Sequence, residues 1–256
     1  MPHSVFRSIL QGGPPVFGGW VTFDAIGLVD VLAGAGFDYL GIDTQHSMID
    51  VAGAIRLLYA IPGDAPPVLI RVPSNDAAAI AKVLDCGADG VIVPMVNTAE
   101  QAAAAVAACQ YSPRGARSFG PVRRRIGRDI AAVEDRAACF VMVETAEAVE
   151  NIADIVAVTG VAGVYVGPAD LAITMGLPPA GAPTPTALRE AVRRVGDHAR
   201  SAGIIAGIHG LSADHVNEVV ADGYTLVTLV ADKAYLLSGA AALLSAARQA
   251  HLRKGD

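Results

Sequence analysis

The sequence predicts an α/β protein, a single (β/α)8 or TIM barrel domain spanning residues 1–256. Short apolar segments rich in strand-forming residues alternate with longer Ala- and Leu-rich segments, and the alternation repeats eight times. Strict strand–helix alternation requires a parallel sheet. The chain has 256 residues, close to the roughly 250 typical of such a barrel. Eight units at this length favour closure over an open, doubly wound sheet, which is the alternative.

Each predicted strand is a continuous apolar segment, as expected where a parallel sheet is covered on both faces. In chain order the strands are Val16–Phe23, Phe37–Asp43, Pro67–Val72, Gly90–Met95, Cys139–Glu144, Gly163–Gly167, Ile204–Ile208 and Tyr224–Leu229.

Helices are predicted between these strands. They are Asp24–Ala35, Asp50–Ala60, Asp76–Asp85, Thr98–Cys109, Ala146–Val156, Thr186–Ser201, Ser212–Ala221 and Ala231–Ala250. Several begin with a side chain that can cap free amides, namely Asp24, Asp50, Asp76, Thr98 and Ser212. Several end before a glycine that can adopt a left-handed turn, namely Gly36, Gly87, Gly203 and Gly223.

Two connections are longer than the few residues usual in such folds. One is Leu177–Pro185, which is rich in Pro and Gly. The other, Tyr111–Arg128, holds six arginines: Arg114, Arg117, Arg123, Arg124, Arg125 and Arg128. We call Tyr111–Arg128 the arginine segment. Its arginines could recognise an acidic group of a ligand, although a solvated surface or a subunit contact is the more ordinary role.

Composition excludes several classes of partner. The net charge of −6 argues against a nucleic-acid partner, which requires a basic face. No apolar stretch approaches the roughly 18 residues needed to span a membrane. Met1–Gln11 lacks the pattern of a secretion signal. Cys86, Cys109 and Cys139 have neither disulfide nor zinc spacing, which indicates reduced thiols in the cytoplasm.

Polar residues follow four of the predicted strands at their carboxyl ends, where the loops of a barrel converge on its mouth. These residues are Asp43, Gln45, His46, Arg71, Glu144 and Asp170. Any one of them could be a solvated group or a helix cap. Because they share one register, we expect them to form a site if the barrel closes.

Their chemistry is coherent. Glu144 and Asp170 provide carboxylate oxygens for a hard divalent cation such as Mg²⁺, Mn²⁺ or Co²⁺. Arg71 stays protonated and can stabilise a developing enolate oxygen. His46 can transfer protons near neutral pH. Gly167-Pro168-Ala169 offers backbone amides that suit a carboxylate.

The lysines exclude one mechanism. Lys82 and Lys233 fall in predicted helices and Lys254 lies near the end of the chain. A Schiff-base aldolase needs a lysine on a strand that faces the mouth. The electron sink should therefore be a metal ion or another group that is not a lysine.

Several short motifs, in this order and spacing, resemble the HpcH/HpaI aldolase family over nearly the whole chain. They are Gly18-Gly19-Trp20, Leu32-Ala33-Gly34-Ala35-Gly36-Phe37-Asp38, Asp43-Thr44-Gln45-His46, Arg71-Val72-Pro73, Val93-Pro94-Met95-Val96, Val143-Glu144-Thr145 and Val166-Gly167-Pro168-Ala169-Asp170-Leu171. The family comprises class II, metal-dependent pyruvate aldolases. The resemblance implies a homohexamer in which the last helix, Ala231–Ala250 here, is exchanged between subunits.

The resemblance also implies individual roles. Glu144 and Asp170 would bind the metal, and Arg71 would hold the keto oxygen of pyruvate. Amides around Ala169 and Asp170, after Gly167, would hold the pyruvate carboxylate. His46 would act as the acid–base residue, paired with Asp85, and Trp20 would line the pyruvate end of the site.

Three residues complicate this assignment. Asp85 ends a helix, which places it at the bottom of its own barrel, about 20 Å from His46 if the strands have ordinary length. It either acts on a neighbouring subunit or is a polar helix end. Gln45, expected to bind substrate, stands where the family usually has Glu, and Met142 stands where it often has Gln. These departures leave the native substrate open.

The expected function is therefore that of a divalent-metal-dependent aldolase acting on small molecules. It would cleave 4-hydroxy-2-oxo acids reversibly to pyruvate and an aldehyde. One alternative is a CoA-thioester lyase of the malyl or citramalyl type, and another is a non-catalytic barrel that binds a 2-oxo acid.

Overall fold

In the computed structural model, which describes residues 4–179 and 184–252, eight parallel strands close into a barrel in chain order. The strands are β1 (Val16–Val21), β2 (Tyr39–Asp43), β3 (Val68–Arg71), β4 (Gly90–Val93), β5 (Ala138–Val143), β6 (Gly163–Val166), β7 (Ile205–His209) and β8 (Leu226–Ala231). The predicted barrel is confirmed, and closure excludes the open sheet.

The helices surround the barrel. Within the described ranges they are α1 (Ser4–Leu10), α2 (Ile26–Ala33), α3 (Val51–Ala60), α4 (Ala77–Asp85), α5 (Ala99–Cys109), α6 (Ile130–Arg136), α7 (Ala146–Glu150), α8 (Ile152–Val156), α9 (Pro168–Thr174), α10 (Thr186–Ser201), α11 (Ala213–Ala221) and α12 (Asp232–Leu252). Sequence patterns missed α1, α6 and α9, which are all short. The predicted helix Ala146–Val156 is divided at Asn151. Part of the Leu177–Pro185 connection, residues 180–183, lies outside the described residues.

Four of the five predicted helix caps are confirmed. The side chains of Asp50, Asp76, Thr98 and Ser212 each accept a hydrogen bond from an amide in the first helical turn. The prediction for Asp24 is wrong. Helix α2 begins later, at Ile26, and the Asp24 carboxylate instead forms an ion pair with Arg56.

Two glycines make room for flat aromatic rings inside the barrel. Strands β1 and β2 pair Gly18 with Tyr39 and Trp20 with Gly41. A Cβ atom on Gly41 would lie 2.2 Å from the Trp20 ring, and one on Gly18 would lie 2.2 Å from the Tyr39 ring. Both rings are buried. The glycine–aromatic pairs therefore fix Trp20 across the barrel interior, below the mouth.

Helix α12 is attached to the mouth only at its start. The buried Asp232 carboxylate accepts hydrogen bonds from the amides of Thr22 and Phe23, at 2.8 and 3.0 Å, at the end of β1. Farther along α12, the leucines at positions 236, 237, 243 and 244 are exposed. No helix among the described residues is long and apolar enough to cross a membrane.

Candidate active site

A cavity of about 280 Å³ opens at the carboxyl ends of the strands. Six residues predicted from the sequence line it: Trp20, His46, Arg71, Gly167, Ala169 and Asp170. They come from different strands and loops, and closure of the barrel brings them together. Residues predicted from the strand ends, together with Trp20 from the family resemblance, therefore share one cavity.

Arg71 and Asp43 form a buried pair at this mouth. Arg71 ends β3, Asp43 ends β2, and the two are partners in the parallel register. Arg71 Nε donates to Asp43 Oδ1 at 2.8 Å, and Arg71 Nη2 donates to Asp43 Oδ2. Burial raises the pKa of Asp43, but hydrogen bonds and charge from Arg71 outweigh it and hold this pKa below the ordinary value. Asp43 thus fixes the guanidinium and leaves Arg71 Nη1 without a protein partner among the described residues.

The Arg71 guanidinium of this pair packs over the ring of Trp20. The Arg71 guanidinium carbon lies 5.4 Å from the Trp20 ring centroid, a distance at which a cation is attracted to the ring face. Tyr165 stacks on Trp20 with ring centroids 6.0 Å apart. His209 approaches the indole edge to face, with centroids 5.3 Å apart. The position of Arg71 is therefore set by Asp43 at one side and by an aromatic stack below.

Glu144 is a buried carboxylate directly after β5. Its Oε1 accepts a hydrogen bond from the Met95 amide at 2.7 Å. Met95 adopts a left-handed φ of 56°, a conformation that is uncommon for residues other than glycine. Burial raises the pKa of Glu144 and the negative charge of Asp170 raises it further, against opposing effects of Met95 and Arg71. Glu144 and Asp170 are therefore close enough to interact.

The second oxygen of Glu144 lies close to Gly167, where only a residue without a side chain leaves room for it. A Cβ atom at Gly167 would lie 2.8 Å from Glu144 Oε2 and 2.9 Å from Met142 Cε. The described residues contain no group of three or more His, Cys, Asp and Glu side chains suited to a metal. Asp170 lines the cavity, and the buried Glu144 lies against Gly167, which lines it too. Carboxylate oxygens in such an arrangement suit a hard divalent cation that completes its coordination with substrate and water oxygens. The predicted metal pair, Glu144 and Asp170, therefore fits such an ion.

His46 and Gln45 differ in their access to the cavity. The His46 side chain is exposed and lines it, and the His46 amide lies 3.3 Å from Asp43 Oδ1. Gln45 is not among the lining residues, and its side-chain oxygen is buried without a hydrogen-bond partner in the described part of the chain. Met142, the other departure from the family pattern, does line the cavity. It places a thioether in the cavity wall.

Asp85 lies at the opposite end of the barrel, as its position at the end of α4 predicts. Its carboxylate accepts a hydrogen bond from Arg117 Nη2 at 2.6 Å, and its carbonyl accepts one from the Val122 amide at 2.9 Å. The arginine segment therefore packs at that end, away from the mouth of its own barrel. Within one chain, the structure does not bring Asp85 to His46.

Sequence reasoning assigned no role to three residues of the mouth. Asp43 was noted as a strand end, but its pairing with Arg71 needs the register of β2 and β3. His209 lines the cavity at the end of β7, and it follows the predicted strand Ile204–Ile208, so the strand-end criterion could have found it. Tyr165 lies within β6, and nothing in its sequence context distinguishes it from a core residue.

Comparisons with known proteins agree with this geometry. The model of a family described as "HpcH/HpaI aldolase/citrate lyase" matches residues 17–238. The chain is 37% identical to a hydroxypyruvate/pyruvate aldolase of Rhizorhabdus wittichii, over 94% of this chain and 98% of that protein. It is 36% identical to a 4-hydroxy-2-oxo-heptane-1,7-dioate aldolase of Salmonella arizonae, over 94% and 93%. A crystal structure of an HpcH/HpaI aldolase/citrate lyase family protein from Burkholderia cenocepacia superposes with a TM-score of 0.88 at 28% identity, over 96% and 99%.

Proposed function

This chain belongs to the HpcH/HpaI aldolase/citrate lyase family, and we propose that it is a class II pyruvate aldolase. It would cleave 4-hydroxy-2-oxo acids reversibly to pyruvate and an aldehyde. The observation that carries the proposal is a mouth in which a fixed, charged Arg71 faces the same cavity as Asp170, next to the buried Glu144. No lysine is among the described residues that line this cavity, which is consistent with a mechanism that uses no Schiff base.

Glu144 and Asp170 would hold a divalent cation, Mg²⁺, Mn²⁺ or Co²⁺, by their carboxylate oxygens. When bound, the ion would supply Lewis-acid polarisation of the 2-oxo acid. The desolvated Glu144 carboxylate, with its raised pKa, is a group that a neighbouring positive charge would stabilise in the ionised form.

Arg71 and the start of α9 would bind the 2-oxo acid. The amides of Ala169 and Asp170 lie in the first turn of α9, where backbone N–H groups have no helical acceptor, and they would hold the substrate carboxylate. Arg71 Nη1 would donate to the keto oxygen. Because Asp43 already orients the guanidinium, Arg71 can stabilise the negative charge that develops on this oxygen with little reorganisation.

His46 would move the protons. In the cleavage direction it removes the proton from the 4-hydroxyl group, the C4–O bond becomes a carbonyl, and the C3–C4 bond breaks. The electron pair of that bond enters the C2–C3 bond, and the resulting charge rests on the keto oxygen beside Arg71. The aldehyde leaves, and a proton delivered to C3 completes pyruvate. The exposed position of His46 on the cavity wall suits a group that exchanges protons with water.

A homo-oligomer, a hexamer as in the family, would complete the site. The exposed leucines of α12 support the proposal that this helix packs on a neighbouring subunit. Asp85 would then reach the His46 of another chain, and the arginine segment beside it would lie at the same contact. The three cysteines are buried and unpaired, in keeping with the expected cytoplasmic location.

The two other functions receive no specific support. A CoA-thioester lyase would need an extended groove for a nucleotide, whereas the cavity of about 280 Å³ has the size for a small 2-oxo acid and aldehyde. A non-catalytic barrel would not need His46 beside Arg71 and the carboxylates. Both relatives described above are named as aldolases, and this chain aligns with more than nine-tenths of the length of each.

The direct test is aldol addition of pyruvate to a panel of aldehydes. Protein stripped of metal with a chelator should be inactive, and Mg²⁺, Mn²⁺ or Co²⁺ should restore activity. Stripped protein without added metal, and metal without protein, are the controls. Full activity after exhaustive metal removal, or borohydride trapping of pyruvate on a lysine, would overturn the class II assignment.

A further inference from the structure

His209 lines the cavity but has no part in the reaction described above. It is the last residue of β7, and its ring stands edge to face against Trp20 with centroids 5.3 Å apart. Arg71 lies over the same indole, and its charge contributes to a lowered pKa of His209. A substrate whose keto oxygen meets Arg71 would therefore occupy the same cavity as this imidazole.

A chain of hydroxyl groups inside the barrel sets the orientation of His209. The Tyr165 hydroxyl donates to Thr228 Oγ1 at 2.5 Å, and the Tyr39 hydroxyl lies 2.7 Å from the same oxygen. His209 Nδ1 lies 3.4 Å from the Tyr165 oxygen. Because the Tyr165 proton is already directed to Thr228, the Tyr165 oxygen can only accept from the imidazole. This assigns the proton of a neutral His209 to Nδ1 and leaves a lone pair on Nε2.

The imidazole is neutral at working pH, because burial, assisted by the charge of Arg71, lowers the pKa of His209 to about 4. Nε2 has no hydrogen-bond partner within residues 4–179 and 184–252, and this nitrogen is not fully enclosed by protein. It therefore remains accessible as a hydrogen-bond acceptor on a ring that lines the cavity.

We propose that His209 Nε2 accepts a hydrogen bond from a hydroxyl group on the carbon chain of the substrate. The cavity would then select hydroxylated substrates over their deoxy counterparts. The hydroxyl belongs either to C3 of the 2-oxo acid, as in hydroxypyruvate, or to the α-carbon of the aldehyde, as in glycolaldehyde. This inference rests on the proposed aldolase function and adds a residue that determines specificity.

The test pairs pyruvate or hydroxypyruvate with acetaldehyde or glycolaldehyde, in all four combinations, with metal added. For each arm we compare the kcat/KM ratio of hydroxylated to deoxy substrate between wild type and variants, so that the intrinsic reactivity of each substrate cancels. In His209→Leu, which keeps the bulk but has no acceptor, this ratio should fall about threefold to tenfold in one arm. That is the factor expected for one hydrogen bond between neutral groups. The arm that responds identifies which hydroxyl is bound.

Two further variants separate recognition from folding. His209→Gln keeps a terminal acceptor and should retain most of the ratio. His209→Asn keeps a donor toward Tyr165 but does not reach as far as Nε2, so its ratio should fall as in His209→Leu, and it replaces that variant if Leu prevents folding. A ratio that is unchanged or higher in both arms, in the variant without the acceptor, overturns the proposal. If wild type forms no aldol product from any of the four pairs, the proposed function itself fails.

Discussion

Each end of the barrel holds an arginine that is paired with an aspartate and packed over an aromatic ring. At the mouth, Arg71 bonds Asp43 and lies 5.4 Å from the Trp20 centroid. At the opposite end, Arg117 bonds Asp85 and lies 4.8 Å from the Tyr111 centroid. Both groups combine an arginine, an aspartate and an aromatic ring, although the ring is Trp20 at the mouth and Tyr111 at the opposite end.

What differs is the use of the remaining donors. Arg117 Nη1 donates to the Cys109 carbonyl at 3.3 Å. Its Nε has no hydrogen-bond partner among the described residues but is enclosed by protein, and its side chain is only 1% exposed. Arg71 is 11% exposed and lines the cavity, and its Nη1 has no hydrogen-bond partner among the described residues. An arginine–aspartate–aromatic arrangement thus does not define a site. A site also needs an arginine donor that has no protein partner and lies beside open space. Without such a donor, the same arrangement is structural within its chain.

The largest expected effect links the two ends. His46→Ala should slow aldol cleavage about 10²–10⁴-fold, the range for loss of a proton-transfer group. Pyruvate should still bind, because its carboxylate and keto oxygens do not need the imidazole. If Asp85 serves a neighbouring subunit, Asp85→Asn should slow the same step. Mixing the two defective variants should then restore part of the activity, since some contacts would hold both native partners. Steady-state kinetics and isothermal titration with pyruvate measure these effects.

Subunit exchange must be shown independently, for example with differently labelled variants. A fully active Asp85→Asn enzyme, or a mixture that stays inactive despite proven exchange, would mean that His46 acts alone or through water. In that case Asp85 and Arg117 form a structural pair and the two ends are independent.

Two matched substitutions test the comparison itself. Arg71→Lys keeps the charge but loses the planar fork, so kcat/KM should fall about 10²–10³-fold. Because the pair with Asp43 is buried, the free energy of unfolding should also fall, by about 1–3 kcal/mol. Arg117→Lys should lower the free energy of unfolding by about 1–3 kcal/mol, because a buried hydrogen-bonding group is lost. Near-normal catalytic efficiency in Arg71→Lys would make Arg71 structural as well.

The sequence predicted the barrel and most of the mouth because both depend on local order. A parallel strand–helix repeat leaves few topologies, and polar residues after apolar strands must then meet at one end. Arg71, His46 and Asp170 were found by this criterion alone, and all three line the cavity. The resemblance to a known family supplied the role of Trp20 and the pairing of Asp85.

The remainder depends on contacts between strands that are distant in sequence. The Arg71–Asp43 pair needs the register of β2 and β3, and the tautomer of His209 depends on Tyr165 and Thr228, from two other strands. Gln45 differs from the other strand-end residues. It follows a strand at the mouth, but it is not among the residues that line the cavity and its side-chain oxygen is buried. Position after a strand does not fix the direction of a loop side chain.

A glycine lies beside a carboxylate at both ends of the barrel, but the two glycines differ in how close an added Cβ atom would come to that carboxylate. A Cβ at Gly167 would meet Glu144 Oε2 at 2.8 Å, whereas a Cβ at Gly120 would lie 3.6 Å from Asp85 Oδ2, an ordinary contact. Gly167→Ala should therefore weaken Mn²⁺ binding, on the order of tenfold, by displacing the Glu144 carboxylate. Gly120→Ala should leave Mn²⁺ affinity unchanged. Equal Mn²⁺ affinities in Gly167→Ala and wild type, measured by calorimetry, would contradict a binding position of the Glu144 carboxylate against Gly167.

The smallest expected effect is the contribution of the mouth, through His209, to the pH dependence of stability. Burial lowers the pKa of His209 to about 4, below the roughly 6.5 of an unfolded histidine. Between pH 8 and pH 5 the unfolded chain therefore gains a proton at this residue while the folded protein does not, and the folded protein loses stability. His209→Leu should remove about 1 kcal/mol of this loss, allowing for the part of the ring that water reaches.

His215, whose pKa burial also lowers, should keep a residual slope in the variant. Arg117→Lys, at the other end, should lower stability by the same amount at both pH values. Urea unfolding at pH 8 and pH 5 measures all three proteins, and an identical pH slope in wild type and His209→Leu would show that His209 is not held neutral by the fold.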